Sequence, residues 1–164
     1  MHATERETEM AGTIEAKLKA MGIELPAAQG PKVAKILNWK RSGNTLYVSG
    51  QVPREGGDYA FIGKVGREFS LEEGQAAARN SAIQVLACIK DALGDLDRVK
   101  EVVKLKGYVN VDPEFKPVSA VMNGASELFN ELWGEPGRHA RTAIGVASMP
   151  FGVAIEVEGI FEVE

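Results

Sequence analysis

The sequence of residues 70–111 is SLEEGQAAARNSAIQVLACIKDALGDLDRVKEVVKLKGYVNV, and it contains a helix pattern followed directly by a strand pattern. Ser70 and Glu73 have the spacing of a capping box, in which each side chain bonds the backbone N–H of the other residue. Apolar side chains then recur with a period near 3.6 as far as Gly94, which predicts a long amphipathic helix. We therefore expect this helix to lay its apolar face on a sheet.

The second half of the stretch has the period of a strand. Between Val99 and Val111 apolar and polar residues alternate, which predicts one apolar face and one face that carries three lysines. On a regular strand Val103 belongs to the apolar face and Val102 to the lysine-bearing face.

The segments before this stretch predict a short helix and a hairpin. Thr13 is placed to cap a helix that Gly22 would end, so residues 1–25 are expected to form a leader and a short helix. Residues 26–164 are expected to form one α+β domain. Its first strands are predicted over Val33–Lys40, Thr45–Ser49 and Tyr59–Ile62, with a turn at Ser42-Gly43-Asn44.

The segments after it predict a second long helix and two final strands. The helix is expected from about Val118 to Trp133, where Gly134 and Pro136 stop it. The strands are predicted over Thr142–Met149 and Val153–Val163, closed as a hairpin through Pro150-Phe151. This order of elements predicts an α+β fold with both long helices on one face of the sheet.

Composition excludes several classes of chemistry. The chain has 164 residues, a formal net charge of −4, one cysteine and two histidines. That count excludes a disulfide framework and a cysteine-rich zinc site, and it leaves one histidine outside the leader for any metal cluster. An acidic chain has no basic surplus for a phosphate backbone, and no apolar run is long enough to span a membrane. We expect a reduced, soluble, cytoplasmic protein that binds neither nucleic acid nor membrane.

The face of the sheet away from the helices carries the most unusual residues. With a hairpin at Pro150-Phe151, Ile144 and Val146 would face the helices. The opposite face would then hold Arg141, Ala143 and Gly145 beside Glu156 and Glu158.

Three interpretations of this face stay open on the residues alone. A guanidinium above a floor of small residues suits a ligand carboxylate, and repulsion between the glutamates would raise the pKa of one of them. Alternatively, Arg141 only neutralises Glu158 on a solvated surface. The third interpretation is a subunit interface, since small residues let another backbone approach.

The same residues carry a family resemblance. Residues 139–150 (HARTAIGVASMP) and 153–158 (VAIEVE) resemble the C-terminal signature of the Rid family, the reactive intermediate deaminases, also called YjgF-like proteins and once labelled L-PSP endoribonucleases. Further similar segments are residues 29–31 (QGP), 46–53 (LYVSGQVP) and 125–134 (ASELFNELWG), so the resemblance spans residues 26–164.

The resemblance implies a chorismate mutase-like mixed sheet and a homotrimer with its sites in clefts between subunits. It implies hydrolysis of small enamine or imine acids to 2-keto acids and ammonia without a cofactor. The arginine that binds the substrate carboxylate falls on Arg141, the glutamate that positions water on Glu156, and a glycine lining the site on Gly50.

The chain departs from the family pattern at three positions. Lys32 stands where a tyrosine is common, Ser126 where an asparagine is common, and Ala143 where a cysteine is common. These three residues, with Ser49 and Glu158, complete the predicted substrate pocket. A triad of Ser49 with His139 is disfavoured, because His139 is the only histidine outside the leader.

Three functions follow, in order of preference. The first is deamination of a reactive imine acid. The second is a non-catalytic module that binds a small carboxylate in the same pocket. The third is the endoribonuclease of the older family label, for which the net charge gives little basis.

Overall fold

The computed structural model of the protein describes residues 12–31 and 34–164. Lys32 and the first residue of the strand predicted over Val33–Lys40 lie outside the described residues. The helices are α1 (Thr13–Ala20), α2 (Leu71–Leu93), α3 (Val118–Val121) and α4 (Asn123–Trp133). The strands are β1 (Trp39–Ser42), β2 (Thr45–Gln51), β3 (Arg54–Glu55), β4 (Asp58–Tyr59), β5 (Val99–Asn110), β6 (Ala140–Val146) and β7 (Ile155–Val163).

One five-stranded mixed sheet organises the domain, in the order β1-β2-β7-β5-β6. The β5–β6 pair is parallel and the other pairs are antiparallel. Helices α2 and α4 pack on each other and α2 packs on the central strand β7, so the predicted α+β fold with the helices on one face is confirmed. Strands β3 and β4 form a separate small hairpin, where the sequence predicted one strand over Tyr59–Ile62.

Helix α2 forms as its sequence predicts. Ser70 accepts from the backbone N–H of Glu73, Glu73 accepts from that of Ser70, and Gly94 ends the helix in the left-handed conformation. The second helix is divided, since α3 ends before Met122 and α4 begins after it.

The predicted hairpin between the last two strands is wrong. Strand β5 lies between β6 and β7, so a crossover through Pro150–Gly152 replaces the tight turn. Ile155 and Val157 do face the helices, and Glu156 and Glu158 face away. The parity of β6 is reversed, however, because Arg141 is opposite Leu105, a fully buried residue on the helix face.

A bulge in β5 reverses two further residues. The β5–β7 register shifts between Val102 and Lys104. Val102 is therefore buried and Val103 is 46% exposed, the opposite of the regular alternation.

Helix α1 is held against the domain by a residue that is distant in the sequence. The Asp97 carboxylate accepts from the backbone N–H groups of Gly12, Thr13 and Ile14 at 2.8–3.1 Å. It supplies the partners that the first N–H groups of a helix lack, so the cap comes from Asp97.

Candidate functional site

The predicted site residues form two separate groups, one on each side of the sheet. The first, the arginine cluster, consists of Arg141 on β6 with Asn123, Ser126 and His139. One guanidinium nitrogen of Arg141 donates to Asn123 Oδ1 at 2.9 Å and to Ser126 Oγ at 3.3 Å. The other terminal nitrogen donates to the carbonyl oxygen of Ser119 at 3.2 Å. Because β6 is an edge strand with this face towards α4, the helix fixes the guanidinium at the rim of the sheet.

A hydrogen-bond chain sets the direction of the Ser126 hydroxyl. The Nδ1 of His139 lies 2.6 Å from the carbonyl oxygen of Gly137 and must donate to it, which leaves Nε2 as an acceptor. Ser126 therefore donates to Nε2 over 2.9 Å and keeps its lone pairs for Arg141. Burial, opposed in part by the Gly137 bond, lowers the pKa of His139, and the charge of Arg141 lowers it further. A neutral His139 is consistent with this series of hydrogen bonds.

The arginine cluster opens onto a shallow polar cavity of about 420 Å³. Its lining residues are Asn123, Ser126, Glu127, Asn130, Arg138, His139 and Arg141. Two guanidinium groups in one opening suit a small anion.

The second group lies on the other face of the sheet and consists of Glu156 and Gly50 together with the cavity that Gly50 lines, here called the glutamate cavity. Here Glu156 is opposite Tyr108, and its carboxylate lies against Gly50. A Cβ atom on Gly50 would lie 1.9 Å from Oε1 of Glu156, so any other residue here would require the carboxylate to move from its present position. Gly50 belongs to an irregularity of β2, where the register with β7 shifts between Val48 and Gln51.

The pKa of Glu156 is raised, mainly because the carboxyl is partly buried and secondarily because Glu158 repels its charge. The predicted repulsion is therefore the smaller of two causes. Glu158 is itself tied to β5, accepting from the Tyr108 hydroxyl at 2.7 Å with Lys106 Nζ at 3.9 Å. The bond to Glu158 is the main reason that the pKa of Tyr108 is raised to about 12, so Tyr108 stays a donor.

The cavity beside Gly50 has a volume of about 510 Å³. Ser49 lines it, but the Ser49 hydroxyl donates to the carbonyl oxygen of Leu37 at 2.6 Å, which anchors the preceding loop. The whole lining consists of Gln29, Gly30, Pro31, Ala34, Ile36, Asn38, Ser49, Gly50, Gln51, Val52, Arg54, Tyr59, Pro150 and Phe151.

The structure brings Ser126 to Arg141, and brings Gly50 and Ser49 to one cavity with Glu156 behind it. Arg141 and Glu156 lie on opposite faces of strands that β5 separates, and among the described residues no hydrogen bond or ion pair joins them. In the described part of the chain Arg141 also makes no ion pair with Glu158, so the charge pair of the solvated-surface interpretation is not formed. Ala143 shares the face of Arg141 and packs against the core.

Sequence reasoning missed Asn123. The residues of α4 place it three positions before Ser126, hence on the same side of the helix, and this spacing is the signal that could have found it. An asparagine therefore does contact Arg141, although the position singled out in the sequence holds a serine. Within the described ranges no group of three or more acidic, histidine or cysteine residues is arranged to hold a metal ion. No described helix is long and apolar enough to cross a membrane.

Comparisons with known proteins identify the class. The family model "YjgF/chorismate mutase-like, putative endoribonuclease" matches residues 15–161. The chain belongs to this family, and its fold is the chorismate mutase-like one that the resemblance implies.

Individual relatives cover nearly the whole chain. Protein TCP17 of Trypanosoma cruzi is 47% identical over 152 residues, covering 92% of this chain and 94% of its own. A crystal structure of an Agrobacterium tumefaciens protein of unknown function superposes with a TM-score of 0.88 at 44% identity, covering 96% of this chain and 97% of that one. "Putative regulator AldR" of Lactococcus lactis is 32% identical over 143 residues, which are 87% of this chain and 94% of that protein.

Proposed function

We propose that the protein hydrolyses a small reactive enamine or imine acid to a 2-keto acid and ammonia, in the cytoplasm, at sites shared between subunits of a homotrimer. The observation that carries the proposal is the Glu156 carboxyl, whose pKa is raised and which lies against Gly50, a residue that lines a ligand-sized cavity. A carboxylate with a raised pKa is a stronger base near neutral pH than an ordinary glutamate.

Arg141 holds the substrate carboxylate in this proposal. Its contacts with Asn123, Ser126 and Ser119 use both Nη1 hydrogens and one on Nη2. Among the described residues no other side chain or backbone group bonds this guanidinium, so the Nε–H and one Nη2–H can donate to a carboxylate. The guanidinium is therefore oriented before the ligand arrives, which lowers the entropic cost of binding.

Glu156 handles the proton of the attacking water. It removes a proton as the water oxygen forms a bond to the imine carbon, and the imine nitrogen becomes protonated. The hydroxyl proton of the tetrahedral intermediate then passes to its amine nitrogen, the C–N bond breaks, and ammonia leaves as the C=O bond forms. Water supplies the oxygen of the 2-keto acid, so the step needs no oxidant, reductant or other co-reactant.

The separation of the two groups supports a shared site. Arg141 and Glu156 face opposite sides of one sheet, so a single subunit does not place both on one small substrate. The arginine cluster lies at an exposed edge strand, where a second copy can meet it. Ring closure by such head-to-tail contacts gives a cyclic oligomer, as a trimer requires.

The test is the decay of an imine generated in the cuvette. A dehydratase supplies 2-aminoacrylate or 2-iminobutyrate, and ultraviolet absorbance follows its loss with and without the protein. Wild type should accelerate the decay, and Arg141→Ala should lower kcat/KM about 30- to 4,000-fold, because truncating one partner of a charged pair costs about 2–5 kcal/mol. Arg67→Ala, at a surface arginine paired with Asp112, is the matched control. Equal acceleration by Arg141→Ala would exclude the proposed role.

One relative favours a second candidate, a non-catalytic module that binds a small carboxylate. A relative at 32% identity carries the name of a regulator. This candidate predicts saturable binding of 2-keto acids by calorimetry, abolished in Arg141→Ala, with no imine turnover by wild type.

The family description also names an endoribonuclease. The formal net charge of −4 disfavours RNA as a ligand, since phosphate binding depends on a surplus of basic residues. RNA cleavage that survives repurification and disappears in Arg141→Ala would favour this function over deamination.

A further inference from the structure

The glutamate cavity is larger and more apolar than a short imine acid requires. Its volume of about 510 Å³ lies in the range of sites that enclose ligands much larger than a four-carbon acid. Apolar side chains make up much of its wall, including Ala34, Ile36, Val52, Tyr59, Pro150 and Phe151.

Two stacked aromatic rings form one side of this wall. The rings of Tyr59 and Phe151 have centroids 4.0 Å apart and an interplanar angle of 13°. The Arg54 guanidinium carbon lies 4.5 Å from the Tyr59 ring centroid. Its backbone N–H donates to Asn80 Oδ1 at 2.8 Å and its carbonyl accepts from Asn80 Nδ2 at 3.0 Å, so helix α2 fixes the stack.

Phe151 is held in a conformation that its side chain disfavours. Its φ is +61°, in the left-handed region, and the residue is 55% exposed. The neighbouring backbone fixes it there, because Gly152 donates to the Met149 carbonyl at 3.0 Å and accepts from Gly63 at 2.8 Å. A large ring that is strained, exposed and outside the core is typical of a residue kept for ligand contact.

Gly50 connects this aromatic wall to Glu156. Gly50 lines the cavity, and the Glu156 carboxylate lies against Gly50. An imine acid bound beside Gly50 in this cavity would place its side chain within a wall that includes Tyr59 and Phe151.

We propose that this protein selects imine acids with an aromatic side chain, whose ring packs against Phe151 in the glutamate cavity. The inference deepens the proposed deamination and rests on it. Ring stacking and burial of apolar surface both favour an aromatic substrate over one that ends in a methyl group.

The experiment compares two imines in one assay. An amino acid oxidase generates 2-imino-3-phenylpropanoate from phenylalanine or 2-iminobutyrate from 2-aminobutyrate, and a trapping nucleophile reports the imine that remains. Wild type should show a kcat/KM at least about tenfold higher for the aromatic imine. Phe151→Ala should remove this preference, because it lowers kcat/KM for the aromatic imine by a larger factor than kcat/KM for the short imine.

Ile62→Ala is the matched control, since Ile62 is 60% exposed beside Gly152 but does not line the cavity. It should keep the aromatic preference. Calorimetry with 2-oxo-3-phenylpropanoate and 2-oxobutanoate measures the same selectivity without turnover. Wild type should bind the aromatic acid more tightly, and Phe151→Ala should abolish this difference in affinity.

The outcomes separate the two proposals. Equal kcat/KM for both imines, or a preference unchanged by Phe151→Ala, overturns the aromatic specificity while deamination stands. No turnover of either imine overturns deamination, and the aromatic pocket then stands or falls on the calorimetric comparison.

Discussion

The arginine cluster and the glutamate cavity hold their charged groups in opposite ways. Arg141 lies at an exposed edge and is oriented by polar partners, which include Asn123 and Ser126. Glu156 is oriented by shape, since it fills the space that Gly50 leaves, and burial changes its proton affinity. A guanidinium keeps its charge in proteins and needs only orientation, whereas a base must be tuned. Burial thus raises the pKa of the group that transfers a proton in the proposed mechanism.

The largest effect on activity is expected when subunits altered in the arginine cluster are mixed with subunits altered in the glutamate cavity. Arg141→Ala and Glu156→Gln should each be nearly inactive, the latter because loss of a general base costs about 10²–10⁴-fold. Co-refolded in equal amounts, they should recover about a quarter of wild-type activity, since random mixing in a cyclic trimer gives that share of interfaces both intact groups.

The control for this mixture is each variant refolded alone, together with a mixture in which both chains carry Arg141→Ala and one also carries Glu156→Gln. Neither control should recover activity. If the mixture of single variants also stays inactive while native mass spectrometry shows hybrid trimers, then Arg141 and Glu156 do not act from different subunits.

The second effect tests how the glutamate cavity holds its acid. In Gly50→Ala the new methyl overlaps Glu156, so the carboxylate must move. Overpacking of this kind costs about 1–3 kcal/mol, which is about 2–10 °C in Tm for a domain of this size. The kcat should fall at least about tenfold, because the base leaves its position.

The double variant Gly50→Ala with Glu156→Asp separates the steric effect on stability from the effect on catalysis. The shorter acid lacks the atoms that the methyl overlaps most closely, so Tm should recover in part while kcat stays low. A single Gly50→Ala variant with wild-type Tm and kcat would contradict the steric role assigned to this glycine.

The two regions also differ in how far the sequence predicts them. Alternation within β7 correctly places Glu156 and Glu158 on the open face, because parity along one strand is local information. The face of Arg141 depends on which strand lies next to β6, and consecutive strands are neighbours only about two-thirds of the time. Strand β5 intervenes, so Arg141 turns towards the helices, and residues that the sequence predicts on one face form two separate groups.

Irregular backbone accounts for the remaining differences. The bulge in β5 exchanges Val102 and Val103 between faces, and no residue in that run marks it. The sequence likewise gives no signal for the division of the second helix at Met122. This division places Asn123 at the start of α4, within reach of Arg141. By contrast, the boundaries of α2 follow from its capping box and terminal glycine, which are local signals.

The smallest effect is a displacement of the pH profile. Glu156 must be ionised to act as a base, so kcat/KM should fall as the pH drops through its raised pKa, and the acid limb should lie above that of an ordinary glutamate. Glu158→Gln removes the repelling charge but keeps an oxygen that can accept from Tyr108. The pKa of Glu156 then decreases and the acid limb moves to lower pH. The movement should be partial, because burial is the larger cause and the substitution leaves it in place.

Glu162→Gln, on the same strand and face but beyond the cavity, should leave the acid limb where it is. An acid limb that moves to higher pH in Glu158→Gln would mean that the titrating base is not Glu156. An acid limb that shifts equally in both variants would reflect the general charge of the open face. It would contradict the specific effect of Glu158 on the pKa of Glu156.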